Sequence, residues 1–164
     1  MNPDEELKAL STLGVELTRR GFLKYEERGH IPQAHRGGGG PGGAFAIYPP
    51  GTTEETYAAW ALMHGEYGQD REREVFGGKM PKISPQAISF IRMILIMEIR
   101  KGDYPEHVSE DDQKRLSVLS KRGNIVKKGA FEFEWILGGF DAEPWLKKKW
   151  VDAFLYASKK LKRD

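Results

Sequence analysis

Apolar residues recur at helical spacing along most of the chain, in segments that capping residues and glycines separate. The first segment predicts a helix from Asp4 to about Leu13, which Gly14 ends. Thr18 is a suitable N-cap for a second helix from Arg19 to Arg28, and Gly29 stands where helices commonly stop. The pattern therefore predicts two short helices joined by a turn.

A run of glycines then interrupts the helical pattern. Residues 36–43 read Arg-Gly-Gly-Gly-Gly-Pro-Gly-Gly, a composition that excludes helix. Ile31 on one side and Phe45–Tyr48 on the other favour two short strands around a flexible tip, although an ordinary loop or a linker has the same composition. Thr52 and Glu55 stand at capping-box spacing and open a third helix. One face of that helix carries Tyr57, Trp60, Ala61 and His64.

The C-terminal half predicts further helices. Residues 69–82 are polar and predict a connector. A Ser–Pro pair then caps a segment from Pro85 to Ile99, whose apolar residues cover nearly every face. We expect this segment to be the most buried helix, in the core or across a dimer. A helix from Ser109 to Gly123 follows, and residues 131–136 alternate only in part, which leaves helix and strand open. The last helix runs from about Ala142 to Lys160, and its predicted buried stripe comprises Trp145, Leu146, Trp150, Val151, Phe154 and Leu161.

Together these elements predict a mainly α fold, in which a winged helix-turn-helix with a small β-hairpin wing precedes a helical C-terminal region. We place the first domain at 1–68 and a connector at 69–83. The remainder, 84–164, is interpreted as an oligomerisation or partner-binding region, because its apolar helix and many aromatic residues suit an interface.

Composition limits the classes of protein that fit. The net charge of the 164 residues is only +2, so a nucleic-acid surface would require local clustering of basic residues. The absence of cysteine excludes disulfides, thiolate metal sites and cysteine nucleophiles. The acidic N-terminal residues lack the order of a signal peptide, and the longest apolar stretch, 88–99, is too short and too charged to span a bilayer. We therefore expect a cytoplasmic protein with no membrane association.

No pattern in the sequence predicts catalysis or metal binding. The four histidines lack the spacing of a zinc site, and His64 is expected to pack on an apolar helix face. The glycine run contains no Gly-Lys-Ser/Thr and is not a phosphate loop. Glu26–Glu27 and Asp111–Asp112 are interpreted as ordinary helical carboxylates. The prediction is a protein that is not an enzyme and has no metal or cofactor.

The second predicted helix has two chemically distinct faces. Phe22 and Tyr25 are expected to pack inward, whereas Arg19, Arg20 and Lys24 lie together on the opposite side. A helix of this kind fits the major groove of duplex DNA, where basic side chains meet phosphates and base edges. A merely solvated face is the ordinary alternative for such residues.

Residues 17–32 resemble the recognition-helix signature of MerR-type regulators. In that signature a small capping residue, a basic residue, an apolar residue and a tyrosine precede Gly-Leu-Ile-Pro. The resemblance covers residues 5–63, with departures: Leu23 stands where the family usually carries Arg, the turn after Gly14 is about two residues longer, and the wing tip is richer in glycine. The residues that carry it are Tyr25, Gly29, Ile31, Pro32 and Tyr48.

The resemblance implies a transcriptional regulator that binds double-stranded DNA as a homodimer. A similar winged module occurs in phage excisionases and small terminase subunits, so DNA binding is implied before transcription control. Arg36, at the base of the wing, is expected to reach the minor groove or a phosphate. A protein-interaction module is the alternative from a different class. The predicted DNA-binding residues are Thr18, Arg19, Arg20, Lys24, Tyr25 and Arg36.

Overall fold

In a computed structural model, the structure describes residues 1–38, 45–123 and 142–161. Within these ranges the chain is mainly helical and contains one two-stranded antiparallel sheet, so the predicted helical class with a small hairpin is confirmed. In chain order the elements are α1 (Pro3–Thr12), α2 (Arg19–Glu27), β1 (His35–Gly37), β2 (Phe45–Ile47), α3 (Thr52–His64), α4 (Asp70–Val75), α5 (Pro85–Arg100), α6 (Glu110–Leu116), a 3-10 helix (Ser117–Lys121) and α7 (Ala142–Lys160).

Local capping chemistry sets the starts of the first two helices. At α1, the Asn2 side chain accepts from the Glu5 backbone N–H, and the Glu5 carboxylate accepts from the Asn2 N–H, which is a capping box. At α2, Thr18 Oγ1 accepts from Gly21 N at 3.0 Å, as predicted. Gly14 lies between the two helices with φ of 81°, a conformation that glycine adopts without strain.

The hairpin is shorter than the sequence pattern indicates. Strands β1 and β2 pair with Arg36 opposite Ala46. Ile31, predicted to flank the first strand, instead lies in the core with 2% of its surface exposed, and β1 begins only at His35. The apolar character of Ile31 reflects burial against the helices rather than strand pairing. The predicted tip, residues 39–44, lies outside the described residues.

Helix α3 departs from two expectations. Its N-cap is Gly51, with φ of 89°, and Thr52 Oγ1 donates to the Pro49 carbonyl, so the predicted capping box of Thr52 and Glu55 is wrong. The Glu55 carboxylate is engaged by arginines from elsewhere in the chain. Nine of the 13 residues of α3 are buried, against eight of 16 in α5, so the prediction that the segment from Pro85 is the most buried helix is also wrong. The reason is that α3 forms the most extensive helix–helix contact of the described residues, with α7, and also packs against α1 and α5.

The C-terminal elements follow the predicted order with altered bounds. The predicted connector contains α4, and the helix predicted from Ser109 to Gly123 is α-helical only to Leu116 before it tightens to a 3-10 helix. Helix α7 has the predicted extent, while residues 131–136 lie outside the described part of the chain. Of its predicted stripe, Leu146, Trp150, Val151 and Phe154 are buried, and Trp145 and Leu161 are half-buried.

Among the described residues, one hydrophobic cluster joins α1, α2, α3, α5 and α7. It includes buried side chains from both sides of the predicted boundary at 69–83, and the division into 1–68 and 84–164 stays a prediction. The largest fully buried side chains are Trp150, Phe22 and Phe154. None of the helices in the described ranges is both long enough and apolar enough to cross a membrane.

Candidate nucleic-acid interface

Helix α2 separates its apolar and cationic side chains as the spacing predicts. Phe22 and Tyr25 are buried, and Phe22 meets the Tyr48 ring edge-on at 5.0 Å between centroids. Arg19, Arg20 and Lys24 are exposed on the other side of the helix. The hydrophobic contacts therefore fix the rotation of α2 so that its basic side chains face solvent.

The basic side chains on this face are mostly without acidic partners. Arg19 Nη2 lies 3.5 Å from an Asp4 carboxylate oxygen, and both side chains are well exposed, so this pair contributes little and competes weakly with an external anion. Neither Arg20 nor Lys24 forms an ion pair with any residue that the structure describes. These two charges are available to a ligand.

Tyr25 does not belong to the exposed surface. Its side chain is only 5% exposed and contacts the His30 ring edge-on at 5.4 Å between centroids. Burial raises the pKa of Tyr25 to about 12, so its hydroxyl stays protonated at neutral pH. The placement of Tyr25 among the DNA-contacting residues is therefore corrected: the ring supports α2 from the core side.

Glu26 joins α2 to the hairpin. Its carboxylate accepts two hydrogen bonds from Arg36, at 2.5 and 2.6 Å, one from the Tyr48 hydroxyl at 2.5 Å and one from the Ala34 backbone N–H at 3.2 Å. Burial alone would raise the pKa of Glu26, but the hydrogen bonds outweigh burial and hold it below 4.5. The interpretation of Glu26 as an ordinary helical carboxylate is wrong, because its partners lie eight to 22 residues away along the chain.

Arg36 is consequently held in place by the protein itself. Both of its terminal nitrogens bind Glu26, and about half of its side-chain surface remains exposed. The bidentate pair fixes the hairpin beside α2, a positioning role that the sequence alone did not indicate. Direct DNA contact by Arg36 stays a prediction, and it would use the exposed edge of a guanidinium already bound to a carboxylate.

Three large apolar side chains also lie at the surface of α2 and the hairpin. Leu23 is 41% exposed, Phe45 48% and Ile47 44%. The alternation of Phe45 and Ile47 around Ala46 is the sequence signal for two side chains on one face of a strand. The candidate interface is therefore mixed, with cationic and apolar groups side by side.

The histidines do not form a metal site in the described ranges, where no three metal-binding side chains come together. His30 is fully buried, with Nε2 3.1 Å from the Pro85 carbonyl. His64 packs on the predicted face of α3, where its ring stacks on Trp60 at 5.1 Å between centroids, but α3 ends there and the side chain remains exposed. His107 pairs with Asp152 at 3.1 Å.

Comparison with protein-family models, with curated proteins and with solved structures finds no match to this chain.

Proposed function

We propose that this chain is a DNA-binding protein and that its N-terminal segment acts as a winged helix-turn-helix. In this proposal α2 enters the major groove and the hairpin of β1 and β2 is the wing. The observation that carries it is the exposed cationic face of α2, set beside a hairpin that Glu26 fixes to the same helix. The resemblance of residues 17–32 to MerR-type regulators supports the same function and favours transcriptional regulation.

The side chains of α2 have distinct proposed roles. Arg20 lies in the first turn and reads a base edge, whereas Arg19 and Lys24 bind phosphates. Thr18 caps the helix and so presents the N-terminal N–H groups of α2 to the same phosphate backbone. Leu23, on the exposed side, is suited to an apolar contact with a thymine methyl group.

A single recognition helix covers few base pairs, so we propose that two copies act together on a two-fold symmetric site. The large exposed apolar side chains outside α2 and the hairpin are the candidates for the contact between copies. They are Val75, Phe76, Met97 and Tyr156.

The test is duplex binding by the full-length chain, after selection of a preferred sequence from random DNA. We expect log affinity to fall linearly with log salt concentration. Arg19→Ala and Lys24→Ala should each reduce the slope by about one and weaken binding to all sequences. Arg20→Ala should cost about 1–3 kcal/mol at one base position and leave non-specific binding nearly unchanged.

Lys101→Ala is the matched control, since Lys101 is exposed at the C-terminal end of α5 and belongs to neither α2 nor the hairpin. Parent-like binding by all three α2 variants would exclude α2 as the recognition helix.

A protein-interaction module is the second candidate, and the exposed Leu23, Phe45 and Ile47 favour it. An apolar protein contact depends weakly on salt, whereas phosphate binding depends on it steeply. Leu23→Ser should abolish partner binding in this case, while Arg19→Ala should leave it almost unchanged.

A further inference from the structure

A cavity of about 480 Å³ lies between the end of α2, the middle of α5 and the end of the 3-10 helix. This volume is within the range of small-molecule sites. Four basic and two acidic residues contribute to its lining, so positive charge is in excess there. The basic residues are Arg28, Arg92, Lys121 and Arg122, and the acidic residues are Glu26 and Glu27.

Two of these cations share one buried counter-charge. Arg92 Nε donates to one oxygen of Glu55 at 2.8 Å, and Arg122 Nε donates to the other at 3.0 Å. The side chains of Arg92 and Arg122 are 9% and 2% exposed, and that of Glu55 is fully buried. Two guanidinium groups therefore face one carboxylate, and the remaining positive charge attracts an anion.

Each of the two guanidinium groups also has a terminal nitrogen that no described hydrogen bond uses. Arg92 Nη1 reaches the Gly29 carbonyl at 3.3 Å, and Arg122 Nη2 reaches the Pro50 carbonyl at 2.6 Å. Among the described residues, no hydrogen bond uses Arg92 Nη2 or Arg122 Nη1. Charge-assisted hydrogen bonds from such groups suit a carboxylate oxygen.

The charged side chains at the rim of the cavity also favour an anionic ligand. Arg28 and Lys121 are exposed and form no ion pair with the described residues. Glu26 is already satisfied by Arg36, so Glu27 is the one lining carboxylate in the described ranges without a cationic partner. Charge at the rim therefore remains favourable to an anion.

Apolar side chains supply the remainder of the wall. Ile31, Met93 and Ile96 all line the cavity, and all three are buried. A ligand that fills the space must therefore combine an anionic group with an apolar body.

We infer that this cavity binds a small organic acid, whose carboxylate meets Arg92 and Arg122 and whose apolar body packs against Ile31, Met93 and Ile96. None of the exposed basic residues proposed to bind DNA, Arg19, Arg20 and Lys24, lines this cavity. Its wall nevertheless includes Arg28 and Gly29, which directly follow α2, so the acid contacts the end of that helix.

Titration calorimetry on the full-length chain without DNA tests this inference, with phenylacetate, indole-3-acetate and octanoate as probes and phenylacetamide as the neutral counterpart of the first. We expect one saturable site for at least one acid at millimolar concentration or below, and binding of phenylacetamide at least tenfold weaker than that of phenylacetate. Lys121→Glu places a negative charge at the rim and should weaken acid binding at least tenfold.

Lys101→Glu is the control, because it makes the same charge change at an exposed helix end that does not line the cavity. Far-ultraviolet circular dichroism checks that both variants keep the helical content of the parent. Absence of saturable binding by all three acids, equal binding of the amide, or equal losses in the two lysine variants would overturn the inference.

Discussion

Replacing Glu26 with Ala should lower the free energy of unfolding by about 3 kcal/mol, although the residue belongs to a surface helix. The substitution removes the acceptor of all four hydrogen bonds at this position. The largest loss comes from Tyr48, which is 2% exposed, because a buried hydroxyl without a partner costs about 1–3 kcal/mol. The Ala34 N–H adds about 1 kcal/mol. Arg36 contributes less than about 1 kcal/mol, since its half-exposed guanidinium regains water.

Two further variants test this value. Glu26→Gln keeps one carbonyl acceptor but replaces the other carboxylate oxygen with an NH₂ group that faces further donors, so it should cost about 2 kcal/mol, less than Glu26→Ala. Glu27→Gln is the matched control, because Glu27 is the next residue along α2, is exposed and has no ion pair with the described residues. It should change stability by less than about 0.5 kcal/mol.

Urea unfolding followed by tryptophan fluorescence measures these differences. The pKa of Glu26 is lowered in the folded chain, so the stability that its charge contributes is complete above about pH 4.5 and is lost as pH falls through the folded value. The difference between the parent and Glu26→Gln should therefore shrink on acidification. An unfolding midpoint for Glu26→Ala equal to that of Glu27→Gln would refute the reasoning.

Two other predictions concern stability. Burial lowers the pKa of His30 from 6.5 to about 4, so between these values the unfolded chain binds a proton that the folded chain excludes. The free energy of unfolding should therefore fall by about 2 kcal/mol between pH 7 and pH 5. In urea unfolding, His30→Gln should remove this loss, whereas the control His64→Gln should not. Gly51→Ala should cost about 3 kcal/mol, because the added Cβ meets an Arg122 nitrogen at 2.6 Å at a positive φ. Gly102 has a similar φ with open space around it, so Gly102→Ala is the matched control. In thermal unfolding, the midpoint of Gly102→Ala should fall by less than half as much as that of Gly51→Ala.

The starts of α2, α5 and α6 were predictable because capping chemistry is local. Thr18, Ser84 and Ser109 each accept a backbone N–H three residues ahead, within the span that a sequence pattern reads directly. The cationic face of α2 was predictable for the same reason, since residues one turn apart lie together on any helix. Helix length was harder to predict: the change to a 3-10 helix after Leu116 has no marker in the sequence.

The candidate site was only half predictable, because its organisation depends on pairings distant in sequence. Nothing near Glu26 indicates that it binds Arg36 and Tyr48, so the sequence predicts only a DNA contact for Arg36. The family resemblance includes Tyr25 among the DNA-binding residues, although the helical pattern places it on the apolar side of α2, where it is buried. A resemblance in sequence marks which positions matter but does not say which way each side chain faces.

Helix α3 shows why hydrophobic periodicity misjudged the core. All five residues of its first segment, 52–56, are polar by sequence and buried in the fold. Four of these positions have a described partner: Thr52 Oγ1 donates to the Pro49 carbonyl, Thr53 donates to Glu6, Thr56 Oγ1 donates to the Thr52 carbonyl, and Glu55 binds two arginines. Polar groups can be buried when partners satisfy them, and such partners are invisible to a pattern that equates polar with exposed. The buried carboxylates Glu26 and Glu55 thus connect α2 to the hairpin and α3 to the C-terminal helices, and the position of the hairpin in the proposed DNA surface depends on the Glu26 pairs as well as on the apolar core.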